Sequence, residues 1–126
     1  TTPQDIALLD ARKGLKMFEK VNIPILGIIE NMSIHVCSNC GHAEHIFGAG
    51  GGETMCADYG VPFLGDLPLD IKIRSQTDAG TPTVVAEPDG PLAGAYRAIA
   101  RQVAVAIAEK QRDMRLKFPT IVINKD

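Results

Sequence analysis

The sequence predicts an α/β fold in which helices are layered on a parallel sheet. Helical and strand-like patterns follow one another in the order helix, strand, loop, helix, strand, helix, helix, which is typical of that class. The strand-like run 23–29 is apolar at almost every position, as in a strand buried on both faces of a parallel sheet. Only two convincing strands are visible, and a buried sheet needs more neighbours. We therefore expect the 126 residues to form the C-terminal part of a larger domain.

The first element is a helix with a recognisable start. Thr2 can act as its N-cap, and Pro3 occupies the first helical position. Asp5 occupies the third position, from which its side chain can bond back to the N-cap amide. Apolar residues then recur at helical spacing, so the helix should run to about Val21 with one buried face. The residues of that face are Leu8, Ala11, Leu15 and Phe18.

The middle of the chain alternates between helix and strand. A short helix over 53–59 should stop at Gly60, because glycine readily takes the backbone conformation that ends a helix. The apolar run 61–65 predicts a second short buried strand. Asp70 has the position of a cap for a helix that ends near 79–80. The second strand is thus predicted to lie between two helices in the sequence.

The last third of the chain is predicted to be mainly one long helix. Residues 83–85 are expected to form a brief extended piece, and Pro91 then opens the helix. Its charged end covers 109–117, and the apolar tail 118–123 is expected to pack against another surface. The residues that share the apolar face of this helix are Leu92, Tyr96, Ile99, Val103 and Ala106.

Composition excludes several classes of protein. The formal net charge of −2 leaves no basic field of the kind that binds nucleic acid, so no nucleic-acid partner is expected. No apolar run approaches the roughly 20 residues of a membrane span, and no export signal opens the chain. We expect a cytoplasmic protein with no membrane partner. The three cysteines are an odd number, which favours reduced thiols that bind metal or stay buried.

The loop 31–52 contains the strongest chemical signal. Cys37 and Cys40 offer two thiolate ligands with two residues between them, as metal and iron–sulfur sites require. Gly41 follows directly and allows the tight turn that points backbone amides at the sulfur atoms. Such a pair is half of a four-ligand site. Either another chain or nearby histidines supply the other half, or the two thiols stay unligated.

Several completions of this half-site are open from the residues alone. His42 and His45 can complete a zinc site within one chain, although one residue between Cys40 and His42 is a tight spacing. A second copy of the chain can instead supply two more thiolates to one [4Fe-4S] cluster or one metal ion. A redox dithiol normally lies at a strand-to-helix turn, which this pattern does not predict. Cys56 lies in a predicted helix and is expected to be a small core residue.

Polar residues follow both predicted strands. Asn31 lies just after the first strand, at the edge where open α/β sheets bind ligands, and its amide can donate to and accept from a base such as adenine. A loop-capping role is the more common one for an asparagine in such a place. Pro68 and Asp70 occupy the equivalent place after the second strand, where Asp70 is either part of the same edge site or no more than a helix cap. The glycine run 48–52 lacks the Lys-Ser/Thr of a phosphate loop and is interpreted as a joint before a short helix.

Five motifs, in order and spacing, closely resemble the Mrp/ApbC family. Its members are P-loop ATPases related to MinD that carry or scaffold iron–sulfur clusters. The resemblance runs from residue 1 to about Ala108. The motifs are TTPQD at 1–5, GIIENMS at 27–33, CSNCG at 37–41, IFG with the following glycines at 46–52, and VPFLGDLPLD at 61–70.

This resemblance implies a specific architecture and function. Residues 1–126 would be the C-terminal part of a single ATPase domain, built on a P-loop NTPase-type parallel sheet, with the Walker A and B segments and the ATP- and Mg²⁺-dependent hydrolysis supplied by the full-length parent. Cys37 and Cys40 of each subunit in a homodimer would share a bridging [4Fe-4S] cluster that is passed to apo iron–sulfur proteins. Asn31, Pro68 and Asp70 would contact adenine. The alternative is a small zinc-stabilised binding module without ATPase activity, with His42 and His45 among its ligands.

Overall fold

The computed structural model describes the backbone of residues 1–115 and the side chains of residues 1–110, and it confirms the α/β class. The apolar tail 118–123 lies outside the described residues. The elements in chain order are α1 (Asp5–Lys20), β1 (Ile28–Asn31), β2 (His35–Val36), β3 (Ala43–Glu44), α2 (Gly51–Tyr59), β4 (Phe63–Leu67), α3 (Ile71–Asp78), α4 (Thr83–Ala86) and α5 (Pro91–Arg115).

A parallel pair of strands, β1 and β4, positions the site. Ile28 pairs with Phe63 and Asn31 with Leu67, with an irregularity after the first pair. The first residue of the chain extends this pairing on the other side of β1. The amino group of Thr1 donates to the Ile29 carbonyl over 3.0 Å, and the Asn31 amide donates to the Thr1 carbonyl over 2.8 Å. These are the bonds of a parallel ladder, so β1 is hydrogen-bonded on both of its edges.

The main core lies between the helices α1 and α2 and the strand β1. Leu8 and Leu15 of α1 face inward, as the helical spacing predicts, while Phe18 is 41% exposed. Met55 of α2 is 1% exposed and fills the centre of this cluster. The helix α5 packs along β4, where Ile99 lies so close to Gly65 that an added Cβ would meet it at 2.9 Å. Ile99 is on the predicted apolar face, which is confirmed.

Several predicted boundaries are wrong at the N-terminal end. The first helix begins at Asp5 with Gln4 as its N-cap, and Thr2 caps nothing because the ladder bonds of Thr1 keep the chain extended at that point. The first strand begins at Ile28 instead of residue 23. The Ile25 carbonyl accepts from the Lys110 ammonium over 2.7 Å, and the first ladder bond of the strand is donated by Ile28.

Later elements are closer to expectation. The short helix ends at Tyr59, and Gly60 follows with a left-handed φ of 62°, as predicted. Asp70 caps α3, because its side chain accepts from the Lys72 amide over 2.7 Å. The second strand is shifted two residues, to Phe63–Leu67. The extended piece predicted at 83–85 is wrong: the amides of residues 85 and 86 both donate to the Pro82 carbonyl and close a helical turn.

Candidate functional site

The two predicted ligand cysteines lie at the tip of a β-hairpin. Residues 31–52 are predicted to be a loop, but within them β2 and β3 pair in antiparallel fashion. The Cys37 amide donates to the His42 carbonyl over 2.9 Å, and the Gly41 amide donates to the Cys37 carbonyl over 2.8 Å. Gly41 has a φ of 73°, a conformation that favours glycine, as its place in the sequence predicts. The turn thus holds both cysteines on one tight loop.

The thiols in this turn have an environment suited to metal binding. Cys37 is partly buried and Cys40 is exposed, and neither forms a disulfide. Backbone amides of the turn, that of Cys40 first and that of Asn39 next, lower the pKa of the Cys37 thiol. Metals bind the thiolate form, so a lowered pKa reduces the competition from protons at neutral pH. The turn therefore favours the thiolate form of Cys37 relative to a free cysteine.

Cys56 has the opposite surroundings. It is 7% exposed and belongs to the core cluster under α1, as the sequence predicts. Burial raises the pKa of the Cys56 thiol, because an apolar environment penalises the thiolate. Cys56 is a structural residue and lies apart from the candidate metal ligands.

The histidines near the hairpin bond to backbone carbonyls. The Nδ1 atom of His35 lies 3.1 Å from the Leu69 carbonyl oxygen, and that of His45 lies 2.7 Å from the Ser33 carbonyl oxygen. A carbonyl oxygen only accepts, so each Nδ1 carries the proton. Among the residues whose side chains are described, no group of three or more His, Cys, Asp or Glu side chains is arranged to hold a metal ion. The structure thus gives no support to a zinc site built from Cys37, Cys40, His42 and His45.

The second group of predicted site residues meets at the carboxyl edge of the parallel strands. Asn31 pairs with Leu67, so Pro68 and Asp70 follow beside it. The Asn31 side-chain oxygen accepts from the Met32 amide over 2.9 Å, which is the loop-capping role. Within the described part of the chain the Asn31 amide nitrogen donates no hydrogen bond, so this exposed group remains available to a ligand. Asp70 uses one carboxyl oxygen as the α3 cap.

Sequence reasoning missed a buried polar cluster behind this edge. Glu30 is 4% exposed, and its carboxyl oxygen accepts from the Gly52 amide over 2.5 Å at the N-terminal turn of α2. The Ser33 hydroxyl donates to Asp66 over 2.8 Å. A cavity of about 250 Å³ lies between these groups and His45. A glutamate directly after an apolar run was the available signal, but its partner at the helix start is 22 residues away in sequence.

Fold and site together define a class of protein. Parallel strands with flanking helices and polar residues at their carboxyl edge are the framework of nucleotide-binding α/β proteins. The hairpin adds a pair of closely spaced free cysteines to that framework. The profile of the family described as "ParA: NUBPL iron-transfer P-loop NTPase" matches residues 1–104, and the chain belongs to this family.

Individual relatives agree with that assignment. An iron–sulfur cluster carrier protein of Pseudomonas fragi is 61% identical over 100 residues, which are 79% of this chain and 35% of that protein. The carrier protein of the same description from Escherichia coli K12 is 54% identical over 107 residues, 85% of this chain and 29% of the relative. The chain thus spans about a third of the length of the curated relatives it matches.

A solved structure shares the fold. It is the nucleotide-binding protein in complex with ADP from Archaeoglobus fulgidus, with a TM-score of 0.56 and 30% sequence identity. The match covers 71% of this chain and 36% of that one. The P-loop NTPase type of sheet expected from the sequence is therefore confirmed.

Proposed function

We propose that the protein carrying this chain is an iron–sulfur cluster carrier that passes a [4Fe-4S] cluster to apoproteins. Membership of the iron-transfer family and the carrier descriptions of its relatives support this assignment over the zinc module. One structural observation carries it: the backbone bonds of a tight hairpin turn hold the free thiols of Cys37 and Cys40 on one loop, where Cys40 is exposed. The cluster is cargo, so an exposed and tightly turned site suits both loading and release.

The ligand count supports a shared cluster. A [4Fe-4S] cluster takes four thiolates, and each hairpin offers two. Cys56 cannot complete the set without opening the core, because it is 7% exposed under α1. A second copy of the same hairpin, related by a twofold axis, supplies the missing pair. We therefore propose a homodimer joined through the cysteine hairpins.

The sheet edge is proposed as the adenine side of a nucleotide site. The free amide nitrogen of Asn31 can donate to a ring nitrogen of adenine, and the 68–70 turn lies beside it. The Archaeoglobus fulgidus neighbour is described as a complex with ADP, which supports a nucleotide site in a protein of this fold. We propose that residues 1–126 are the C-terminal part of a single ATPase domain, and that ATP, Mg²⁺ and the phosphate-binding loop meet in the longer protein, where hydrolysis takes place.

The cellular setting is also proposed from the family. Recipients of the cluster are apo iron–sulfur proteins, and the compartment is the cytoplasm. Within residues 1–115, no helix combines the length and the apolar character that crossing a membrane requires.

Anaerobic reconstitution with iron and sulfide tests the ligand assignment. The natural full-length protein should hold about two irons per chain, since one four-iron cluster is shared by two copies. The variants Cys37→Ala and Cys40→Ala should lose the cluster and its visible absorbance. Cys56→Ala is the matched control, because it removes a thiol from the core and leaves the hairpin intact.

Other outcomes would refute the proposal in distinct ways. Equal iron in Cys37→Ala and the unmodified protein would remove the ligand assignment. About one zinc per chain in protein purified without oxygen would favour the zinc module. A monomeric, cluster-loaded protein by light scattering would reject the shared site.

A further inference from the structure

We propose that His35 couples the nucleotide edge to the cysteine hairpin through its hydrogen bond to Leu69, an inference that rests on the proposed function. Leu69 lies between Pro68 and Asp70, in the turn assigned to adenine. Its amide donates to the Ile34 carbonyl over 2.8 Å, and its carbonyl accepts from the His35 Nδ1–H over 3.1 Å. Both polar backbone groups of this one residue are thus held by the start of the hairpin.

The attachment continues one residue earlier. We define the hairpin root as residues 33–35. The Ser33 amide donates to the Leu67 carbonyl over 3.0 Å, and the Ser33 hydroxyl donates to Asp66 over 2.8 Å. The root therefore continues the pairing of β1 with β4 beyond the last residues of the strands. A shift of the 66–69 segment must shift the root or break these bonds.

The bonds of the hairpin tip have a different character. The Cys37 amide donates to His42 and the Gly41 amide donates to Cys37, so both are internal to the turn. The tip can move as a unit, and the root determines where it points. His35 is the last root residue before Cys37 and also pairs with Glu44 of β3. A displacement of Leu69 is thus transmitted through His35 to the turn that contains Cys37 and Cys40.

The side-chain bond can be removed without breaking the backbone bonds. His35→Leu removes the Nδ1–H donor and leaves a side chain of broadly similar size at this half-buried position. His35→Asn restores a donor, because the asparagine amide nitrogen occupies nearly the position of imidazole Nδ1. His42→Leu is the control on the same hairpin, since the His42 side chain makes no hydrogen bond to any residue in the described part.

Cluster release measures the coupling. The natural full-length protein is loaded with [4Fe-4S], and the rate of iron capture by a chelator is recorded without nucleotide, with ADP and with a non-hydrolysable ATP analogue. Nucleotide should change this rate in the unmodified protein. His35→Leu should reduce that change by about two- to tenfold, the size expected from one hydrogen bond in a coupling network, with unchanged iron content and nucleotide affinity. His35→Asn should restore the response, and His42→Leu should retain it.

A second readout needs no cluster. In the apoprotein, the alkylation rate of Cys37 by iodoacetamide is followed by mass spectrometry with and without ADP. The nucleotide-dependent difference should shrink in His35→Leu and return in His35→Asn. This measurement reports the position of the hairpin itself and is independent of iron loading.

The outcomes separate this inference from the function on which it rests. An unmodified protein that loads no cluster would refute the proposed function and the inference with it. A loaded protein whose release ignores nucleotide, or a His35→Leu variant with the full nucleotide response in both readouts, would overturn the coupling alone. Loss of iron loading in His35→Leu would also overturn the coupling. His35 would then be needed to form the turn that contains Cys37 and Cys40, and not to connect that turn to Leu69.

Discussion

The core around Met55 and the hairpin that carries Cys37 are built on opposite principles. The core packs α1 and α2 on β1, and its central residue is 1% exposed. In the hairpin, every residue from 40 to 46 is exposed, and local hydrogen bonds take the place of apolar contacts. Burial of apolar surface stabilises the core, whereas the hydrogen bonds of the turn fix the positions of the hairpin residues without burying them. Reactive groups can therefore stay accessible on a loop whose position is set by a rigid scaffold.

Cysteine makes the difference between the two regions measurable. Amide donors lower the pKa of Cys37 in the hairpin, while burial raises the pKa of Cys56 in the core. The thiolate form of the same side chain is thus favoured in one region and disfavoured in the other. Tests that disturb each region separately can confirm or remove this distinction.

The largest effect is expected from truncation in the core. Met55→Ala leaves a cavity in the packed cluster and should lower the free energy of unfolding by about 2–5 kcal/mol. Val36→Ala, at a hairpin residue that is 52% exposed, should cost less than about 0.5 kcal/mol. Urea unfolding of both variants measures the contrast. If both variants lost the same free energy of unfolding, Val36 of the hairpin would stabilise the fold as much as Met55 of the core does.

The buried carboxyl group of Glu30 should give the next largest effect. Glu30→Leu leaves the Gly52 amide without an acceptor at the start of α2, which should cost about 1–3 kcal/mol in urea unfolding. Glu30→Gln keeps a side-chain oxygen in place and should cost less. If the two variants were equally stable, the bond to Gly52 would not stabilise the helix start.

A smaller, local effect is expected at Gly41. Alanine there is strained at a φ of 73°, which should cost about 1–2 kcal/mol of local stability. The Cys37 amide, bonded within the turn, should then exchange with solvent deuterium roughly five- to thirtyfold faster. Gly14→Ala in α1 is the matched control, since nothing lies within 4 Å of the added methyl group and helix propensity improves. Unchanged exchange in Gly41→Ala would show that the turn tolerates a side chain.

The smallest effect concerns the pH dependence of thiol reactivity in the apoprotein. Thiolate is the reactive form, so a lowered pKa moves the rise of alkylation at Cys37 to lower pH than for free cysteine. The raised pKa of Cys56 moves its rise to higher pH, and burial slows the reaction throughout. Mass spectrometry of iodoacetamide-treated protein at several pH values reads both sites. If alkylation of Cys56 rose at lower pH than alkylation of Cys37, the proposed thiolate site would be contradicted.

Local patterns predicted much of the fold. The helix stop at Gly60, the Asp70 cap and the apolar face of α5 depend on neighbours a few residues away, and all three are confirmed. Errors arose where distant contacts decide the backbone. The start of α1 is displaced because Thr1 bonds to β1, 28 residues on, and the Ile25 carbonyl accepts from Lys110, 85 residues away. Sequence patterns carry no signal for such partners.

By itself, the sequence determined which chemical groups are available: two cysteine thiols at positions 37 and 40, a glycine that permits their turn, and an amide at a strand end. These follow from residue type and spacing, which act over a few ångströms along the chain. Only the tertiary structure decided how the groups are joined. Parallel pairing of β1 with β4 brings Leu69 onto His35, 34 residues earlier, because hydrogen bonds between strands depend on register in space and not on distance in sequence.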